Sequence, residues 1–188
     1  GKTWVNEFHS ELLLPEDAEY LAELKQEDEE AYLDEASSIL PHFNRLVIDG
    51  RTLYMVGEIG LIAKSNDFGR NWLPFDEIYQ GSFFDMSRTR QGNLLVVGLR
   101  GHVFRSLKNG TPWQLRQTGT TALINDIVLS EDERIFLLGN NGALLESTDD
   151  GQTFRMRLQK DGKALIAGTW FNGQLVTVSG VGVKVISL

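Results

Sequence analysis

Two aspartates, Asp67 and Asp149, sit in one local pattern, S-x-D-x-G-x-[TN]-[WF]. It reads Ser65-Asn66-Asp67-Phe68-Gly69-Arg70-Asn71-Trp72 in one place and Ser147-Thr148-Asp149-Asp150-Gly151-Gln152-Thr153-Phe154 in another. Carboxylates beside hydroxyls suggest calcium, but each loop offers too few oxygens for a shell of six to eight. Turn-making suits them better. The serine and aspartate oxygens bond nearby backbone N–H groups, the glycine accepts positive φ, and the aromatic anchors the turn. His9, His42 and His102 have no metal-ligand spacing, and the chain has no cysteine. No metal site, cofactor, disulfide or cysteine nucleophile is therefore expected.

Other polar residues recur at a fixed interval. Asn44, Asp85 and Asp126 are 41 residues apart, as are Gly57, Gly98, Gly139 and Gly180. The same step links Gly60, Gly101 and Gly142; Ser65, Ser106 and Ser147; Gly69, Gly110 and Gly151; and Trp72, Trp113 and Phe154. A period near 41 built of short apolar runs is that of a β-propeller blade. The expected fold is all-β: about four four-stranded blades over residues 43–80, 83–121, 123–162 and 164–188, forming one domain over residues 1–188. Asp49-Gly50 and the Gly-x-x-Gly segments are turn signals.

In a four-stranded meander the hairpins between strands two and three share a face with the connections between blades. The S-x-D-x-G turns lie on the other face. Arg100, Asn140 and Asn141 are thus expected on the hairpin face, with Asn44, Asp85 and Asp126 ringing the channel mouth there. Arg45, Arg88 and Arg90 fall on inner strands or their ends. These nine residues are the candidate binding set. Trp170 breaks the repeat pattern on an inner strand.

The last unit has three strands, with one residue lost at Gly180-Val181-Gly182 and Ser187 in the place of Ser65, Ser106 and Ser147. Gly1-Lys2-Thr3-Trp4 matches Gly69-Arg70-Asn71-Trp72. Residues 1–8 are expected to supply a strand that closes the ring by completing the last blade. The alternatives are a portion of a larger ring, or two chains sharing one.

Residues 9–40 interrupt the repeat, adding about 27 residues. Residues 11–35 hold eleven acids and one base, Lys25, so this segment carries −10 of a net −8 and the remainder +2. Pro15 suits the first helical position, and Glu16, Asp17 and Glu19 favour the helix N-terminus. One helix or two short ones are expected from Pro15 to Ala36. This acidic insertion is either a solvated lid, a partner-docking element, or a flap over the channel that pairs with the arginines. Such a charge balance argues against duplex nucleic acid as a partner, and no apolar run is long enough to span a membrane.

The S-x-D-x-G turn resembles the Asp-box, or BNR, repeat of sialidases and related propellers. Blade two departs from it, with Lys108 for the aspartate and Pro112 for the threonine, so its turn is expected to be weaker. On this resemblance Ser65, Asp67, Gly69, Trp72, Ser106, Gly110, Trp113, Ser147, Asp149, Gly151 and Phe154 are structural. The arginine cluster and Arg-Ile-Pro element of sialidases are missing, so no catalytic residue is assigned. The whole unit, V-G-x-x-G-x-[IVL]-x-x-S-x-D-x-G-x-x-W, more closely resembles the photosystem II stability/assembly-factor family and its bacterial relatives. That resemblance implies an extracytoplasmic, non-enzymatic scaffold that engages a protein partner, such as a membrane-protein complex, through an arginine-rich face. The competing expectation is a carbohydrate-binding or glycosidase-like propeller.

Overall fold

A computed structural model describes residues 2–3, 8–107 and 110–188. Four antiparallel meanders follow one another. The first comprises β1 (Phe43–Asp49), β2 (Thr52–Gly57), β3 (Ile62–Ser65) and β4 (Leu73–Pro74). The second comprises β5 (Phe83–Arg88), β6 (Leu94–Gly98), β7 (Val103–Ser106) and β8 (Trp113–Arg116). The third comprises β9 (Ile124–Leu129), β10 (Ile135–Gly139), β11 (Leu144–Ser147) and β12 (Arg155–Met156). The fourth has three strands among the described residues: β13 (Leu165–Phe171), β14 (Gln174–Ser179) and β15 (Gly182–Ile186). The inner strands pack in order, β1 on β5, β5 on β9 and β9 on β13. Of the expected closing strand, residues 4–7 lie outside those described.

Strand alternation builds the core between blades rather than within them. Tyr54, Val56 and Ile62 of blade one meet Phe83, Met86, Val96 and Phe104 of blade two. Leu95, Val97 and Val103 meet Ile127, Ile135, Leu137 and Leu145 of blade three. Val128, Phe136, Leu138 and Leu144 then meet Leu165, Leu175 and Ile186 of blade four. β6 and β10 are buried on both faces, which is why they read as continuous apolar runs.

The Gly-x-x-Gly hairpins repeat one backbone shape. Ile59, Arg100 and Asn141 hold φ of 52°, 55° and 56°, each followed by a glycine in the same left-handed region. At Gly101 (φ +70°) an added Cβ would lie 2.1 Å from the Thr120 carbonyl oxygen. Backbone approach as well as dihedral therefore excludes other residues there. These hairpins bond to the connections between blades (Gly60 N–H to Gly81 O, 2.8 Å; Gln159 N–H to Gly142 O, 2.9 Å), so both lie on one face.

Blade four corrects the expected register. Leu53, Leu94 and Ile135 pair with Ser65, Ser106 and Ser147, but the equivalent Leu175 pairs with Ile186, not Ser187. Each of its two hairpins is one residue shorter than in blade three: Trp170 pairs with Leu175 where Leu129 pairs with Ile135, and Val178 with Val183 where Leu138 pairs with Leu144. Two residues are lost, not one, which returns the apolar set to its proper face.

The insertion forms α1 (Pro15–Glu27) and α2 (Glu29–Ala36), broken at Asp28, whose carboxylate caps α2 by accepting from Glu30 N–H (3.1 Å) and Ala31 N–H (3.0 Å). Its two ends are anchored on blade one. Leu12 packs with Ala63 and Trp72, beside Leu40, Leu53, Met55 and Leu61, on the side of blade one away from blade two. Glu11 accepts from Trp72 N–H at 3.1 Å, and Glu58 N–H reaches His42 O at 3.0 Å. The segment thus runs along blade one from its S-x-D-x-G turn to its hairpin. Among the described residues no carboxylate of the insertion pairs with an arginine.

Candidate functional site

The four candidates at the starts of the inner strands come together, but not as a solvated ring. Asn44 donates to Phe83 O at 2.8 Å, tying β1 to β5. Asp85 accepts from Ile127 N–H at 2.8 Å, tying β5 to β9. Asp126 accepts from Gly168 N–H at 2.8 Å, tying β9 to β13. Asp85 and Asp126 make the same bridge one step apart, whereas Asn44, at the equivalent position, donates to a carbonyl instead. Arg45 joins two of them: its Nη2 donates to Asp126 Oδ1 at 2.7 Å, and its Nε lies 3.0 Å from Asp85 Oδ1, out of line for a hydrogen bond. Asp85 and Asp126 are only 5% and 7% exposed, which corrects the expectation of a hydrated channel mouth. Burial and the Asp126 charge push Asp85 up to about 7, against the pull of Arg45. Burial also raises Asp126, opposed by bonds from Gly168 and Asp85 and by Arg45.

Arg88 is likewise committed within the protein. It pairs with Asp49, donates to Tyr54 Oη at 2.7 Å and to Gly92 O at 2.8 Å, and so locks the turn ends of blades one and two. Arg90 is exposed on the turn after β5, at the end opposite the hairpins. Arg45, Arg88 and Arg90 therefore form no common patch. Arg100 and Asn141 are exposed on hairpin tips, while Asn140 accepts from Asn125 Nδ2 at 3.1 Å.

The hairpin face carries a cleft of about 540 Å³ lined by Arg100, His102, Leu115, Arg116, Thr118 and Met156 among others, with no acidic residue in its walls. Tyr79 packs on His102 with ring centroids 4.4 Å apart, and His102 Nδ1 lies 3.0 Å from Leu99 O. Thr118 Oγ donates to Gly101 O at 2.8 Å, fixing the cleft wall to the hairpin. Arg116 meets Gln114, and its buried Nε has no partner among the described residues. Two guanidiniums, an imidazole and two apolar side chains make a surface suited to carboxylate and aliphatic groups together.

On the opposite face the S-x-D-x-G turns are closed by their own atoms. In the first, Ser65 Oγ donates to Asp67 at 2.7 Å and accepts from Gly69 N–H at 2.8 Å. Asp67 accepts from Asn71 N–H (3.0 Å) and Nδ2 (2.7 Å). Bonds from Asn71 and Ser65 hold Asp67 down to about 2. The third turn repeats this with Ser147, Asp149, Gly151 and Thr153. In blade two Ser106 turns instead to Leu107 O at 3.2 Å, and Trp113 packs edge-on against Phe75 of blade one, 6.1 Å between centroids. Phe154 packs on the core between blades two and three. Asp149→Ala is expected to cost roughly 1–2 kcal/mol at pH 7, as loss of a capping side chain does. Burial raises Asp149, but bonds from Thr153, Ser147 and Gln152 outweigh it and hold the carboxyl low. Its contribution is thus present above the ordinary carboxylate value of about 4 and lost as pH falls below it. Thermal melts at pH 7 and pH 2.5 should show the deficit only at the higher pH.

Set beside known proteins, the fold has counterparts. No protein-family model matches the chain. It is 26% identical over 116 residues, 60% of its length and 34% of the other protein's, to the photosystem II assembly lipoprotein Ycf48 of Picosynechococcus sp.. The fold superposes on YCF48 bound to a D1 peptide, with TM-score 0.60 at 15% identity over 79% of this chain and 50% of that one. It also superposes on the Cps50 (Swd1) β-propeller domain of Myceliophteria thermophila, with TM-score 0.63 at 14% identity over 83% and 56%. The fold is that of β-propeller blades. The chain spans about a third of the length of the curated relatives it matches. No helix among the described residues is long and apolar enough to cross a membrane.

The sequence reading passed over several residues. Arg116 and His102 lie outside the repeat motif; His102 follows Arg100 by two residues, and the pairing of β7 with β8, which sets Arg116 opposite Val103, brings Arg116 to the same cleft. Arg105 and Asp150 form a buried ion pair at 2.7 Å, with Asn93 Nδ2 also donating to Asp150. Arg105 and Glu146 occupy the repeat position of Lys64; that shared step was the available signal. Trp170 is a core residue, stacked on Phe136 at 5.6 Å with Arg134 over its ring.

Proposed function

We propose that this chain belongs to an Asp-box propeller that works as a non-enzymatic protein-interaction scaffold, similar to the photosystem II assembly factors, outside the cytoplasm. Its hairpin face holds a segment of a protein partner, drawn from a membrane-protein complex, in the cleft between Arg100 and Arg116. The observation that carries this reading is the cleft without acids in a chain of net charge −8. Similarity to an assembly lipoprotein, and to a propeller seen with a peptide, supports it. The mechanism is rigid presentation. The hairpins are fixed by left-handed backbone and by bonds to the connections, so little ordering entropy opposes binding.

The D1 peptide and short acidic peptides with one aliphatic side chain, labelled for fluorescence anisotropy, test it. Binding that weakens at least tenfold in Arg100→Ala with Arg116→Ala, and with rising salt, is the expected result. Equal affinity of both forms for every peptide would remove the cleft from consideration. Retention of a glycan by the double variant and wild type alike would favour a carbohydrate-binding propeller instead.

A further inference from the structure

The channel carries a second, unassigned function. We propose that Asp85 and Asp126 form a shared proton-binding site, which makes the joint between blades one, two and three a pH-sensitive clasp. Each carboxyl has one oxygen committed to a backbone N–H of the next inner strand (Ile127 and Gly168, both 2.8 Å). The remaining Oδ1 atoms converge on one guanidinium, at 3.0 and 2.7 Å from Arg45. Both carboxyls are buried and share that one cation, and two buried like charges side by side disfavour double ionisation.

The charge count decides the behaviour. β1 contributes Arg45 to the cluster, β5 contributes Asp85 and β9 contributes Asp126; β6, β10 and β13 bring no ion-pair partner to it. With one proton aboard, the trio is neutral. When the proton leaves, one guanidinium faces two carboxylates and the cluster carries −1. The raised values of both carboxyls, with Asp85 at about 7, place that loss near neutrality. A group whose folded value lies above its unfolded one contributes stability in full below the unfolded value of about 4, and loses it as pH rises through the folded value. The clasp therefore tightens in acid and loosens through pH 7.

Blade one is where loosening would be felt. Its inner strand is otherwise poorly covered, with Leu46 54% and Ile48 73% exposed. Beyond its packing on β5, the Arg45 cluster holds one end and the Arg88–Asp49 pair the other. Blade one also carries the acidic insertion through Leu12 and Glu11, so release of β1 would free the insertion from the remaining blades.

Hydrogen–deuterium exchange of residues 43–49, corrected for intrinsic rates, reads this directly. Wild type should lose at least tenfold of its protection between pH 6 and pH 8.5. Asp85→Asn, which keeps an acceptor for Ile127 N–H but removes the titrating carboxyl, should show a flat profile. Equal protection at both pH values in wild type, or a pH response surviving in Asp85→Asn, overturns the proposal. Should Asp85→Asn fail to fold, carbon-13 carboxyl NMR of the wild type decides the matter: a buried aspartate titrating near pH 7 upholds the site, and titration of every aspartate below pH 5 overturns it.

Discussion

Phe136→Ala is expected to lower the free energy of unfolding by about 3–5 kcal/mol. The side chain is fully buried and sits between blades three and four, against Val128, Leu138, Leu144, Leu165 and Leu175. Its ring lies parallel to that of Trp170, 8° between planes, with Arg134 capping both rings. Truncation removes the apolar area, the stacking and one cation–π contact together. The neighbours belong to two sheets with fixed registers and cannot collapse into the hole. For a chain of this size the melting temperature should fall by on the order of 10 °C. Scanning calorimetry measures it. A fall of less than 3 °C would mean that blades three and four are not held together through this layer.

Arg105→Met should be comparably damaging for a different reason. Arg105 and Asp150 are both buried, and the guanidinium also donates to the Asp150 backbone oxygen at 2.8 Å. Removing the cation leaves a buried carboxylate with Asn93 as its remaining side-chain donor at 2.5 Å. Breaking one side of such a pair costs about 3–5 kcal/mol, more than the pair itself contributes. Methionine keeps the stem volume, so the loss reports charge rather than a cavity. Denaturant melts measure the deficit. Asp150→Asn in the same background should recover part of it, because asparagine tolerates both burial without charge and the positive φ of 61° at that position. A deficit that Asp150→Asn leaves unchanged would show that lost packing, not the buried charge, is responsible.

Both variants probe joints between blades, which is where sequence and structure part company. Within a blade the reading was close. The 41-residue step marked out four successive antiparallel sheets and their hairpin turns, because period-2 alternation and Gly-x-x-Gly turns are local signals. Helical structure from Pro15 to Ala36 was legible from helix-start chemistry, but one helix or two was left open, and the break at Asp28 appears only in the structure. The S-x-D-x-G turns close on atoms no more than four residues apart, so their role was written in the motif itself.

The register of blade four was misjudged because one of its two single-residue deletions falls in the first hairpin and is masked by Gly180, which still stands 41 residues after Gly139. Only strand pairing separates Ile186 from Ser187. Of the polar residues at the starts of the inner strands, Asp85 and Asp126 were wrongly pictured as wet, while Asn44 is exposed. Their bonding depends on partners 39 to 81 residues away, which no local pattern encodes. The arginines divided for the same reason. Arg45 and Arg88 are consumed in joints between blades, while Arg100 and Arg116 line one cleft because β8 pairs with β7. The insertion advertised its charge but not its place. Leu12 alone, set against Trp72 and Ala63, decides that it lies along blade one. Repetition and turn chemistry are short-range, so the sequence by itself determined the blades and their turns. Desolvation and charge pairing are long-range, so only the tertiary structure decided which polar side chains join the blades and which remain free to meet a partner.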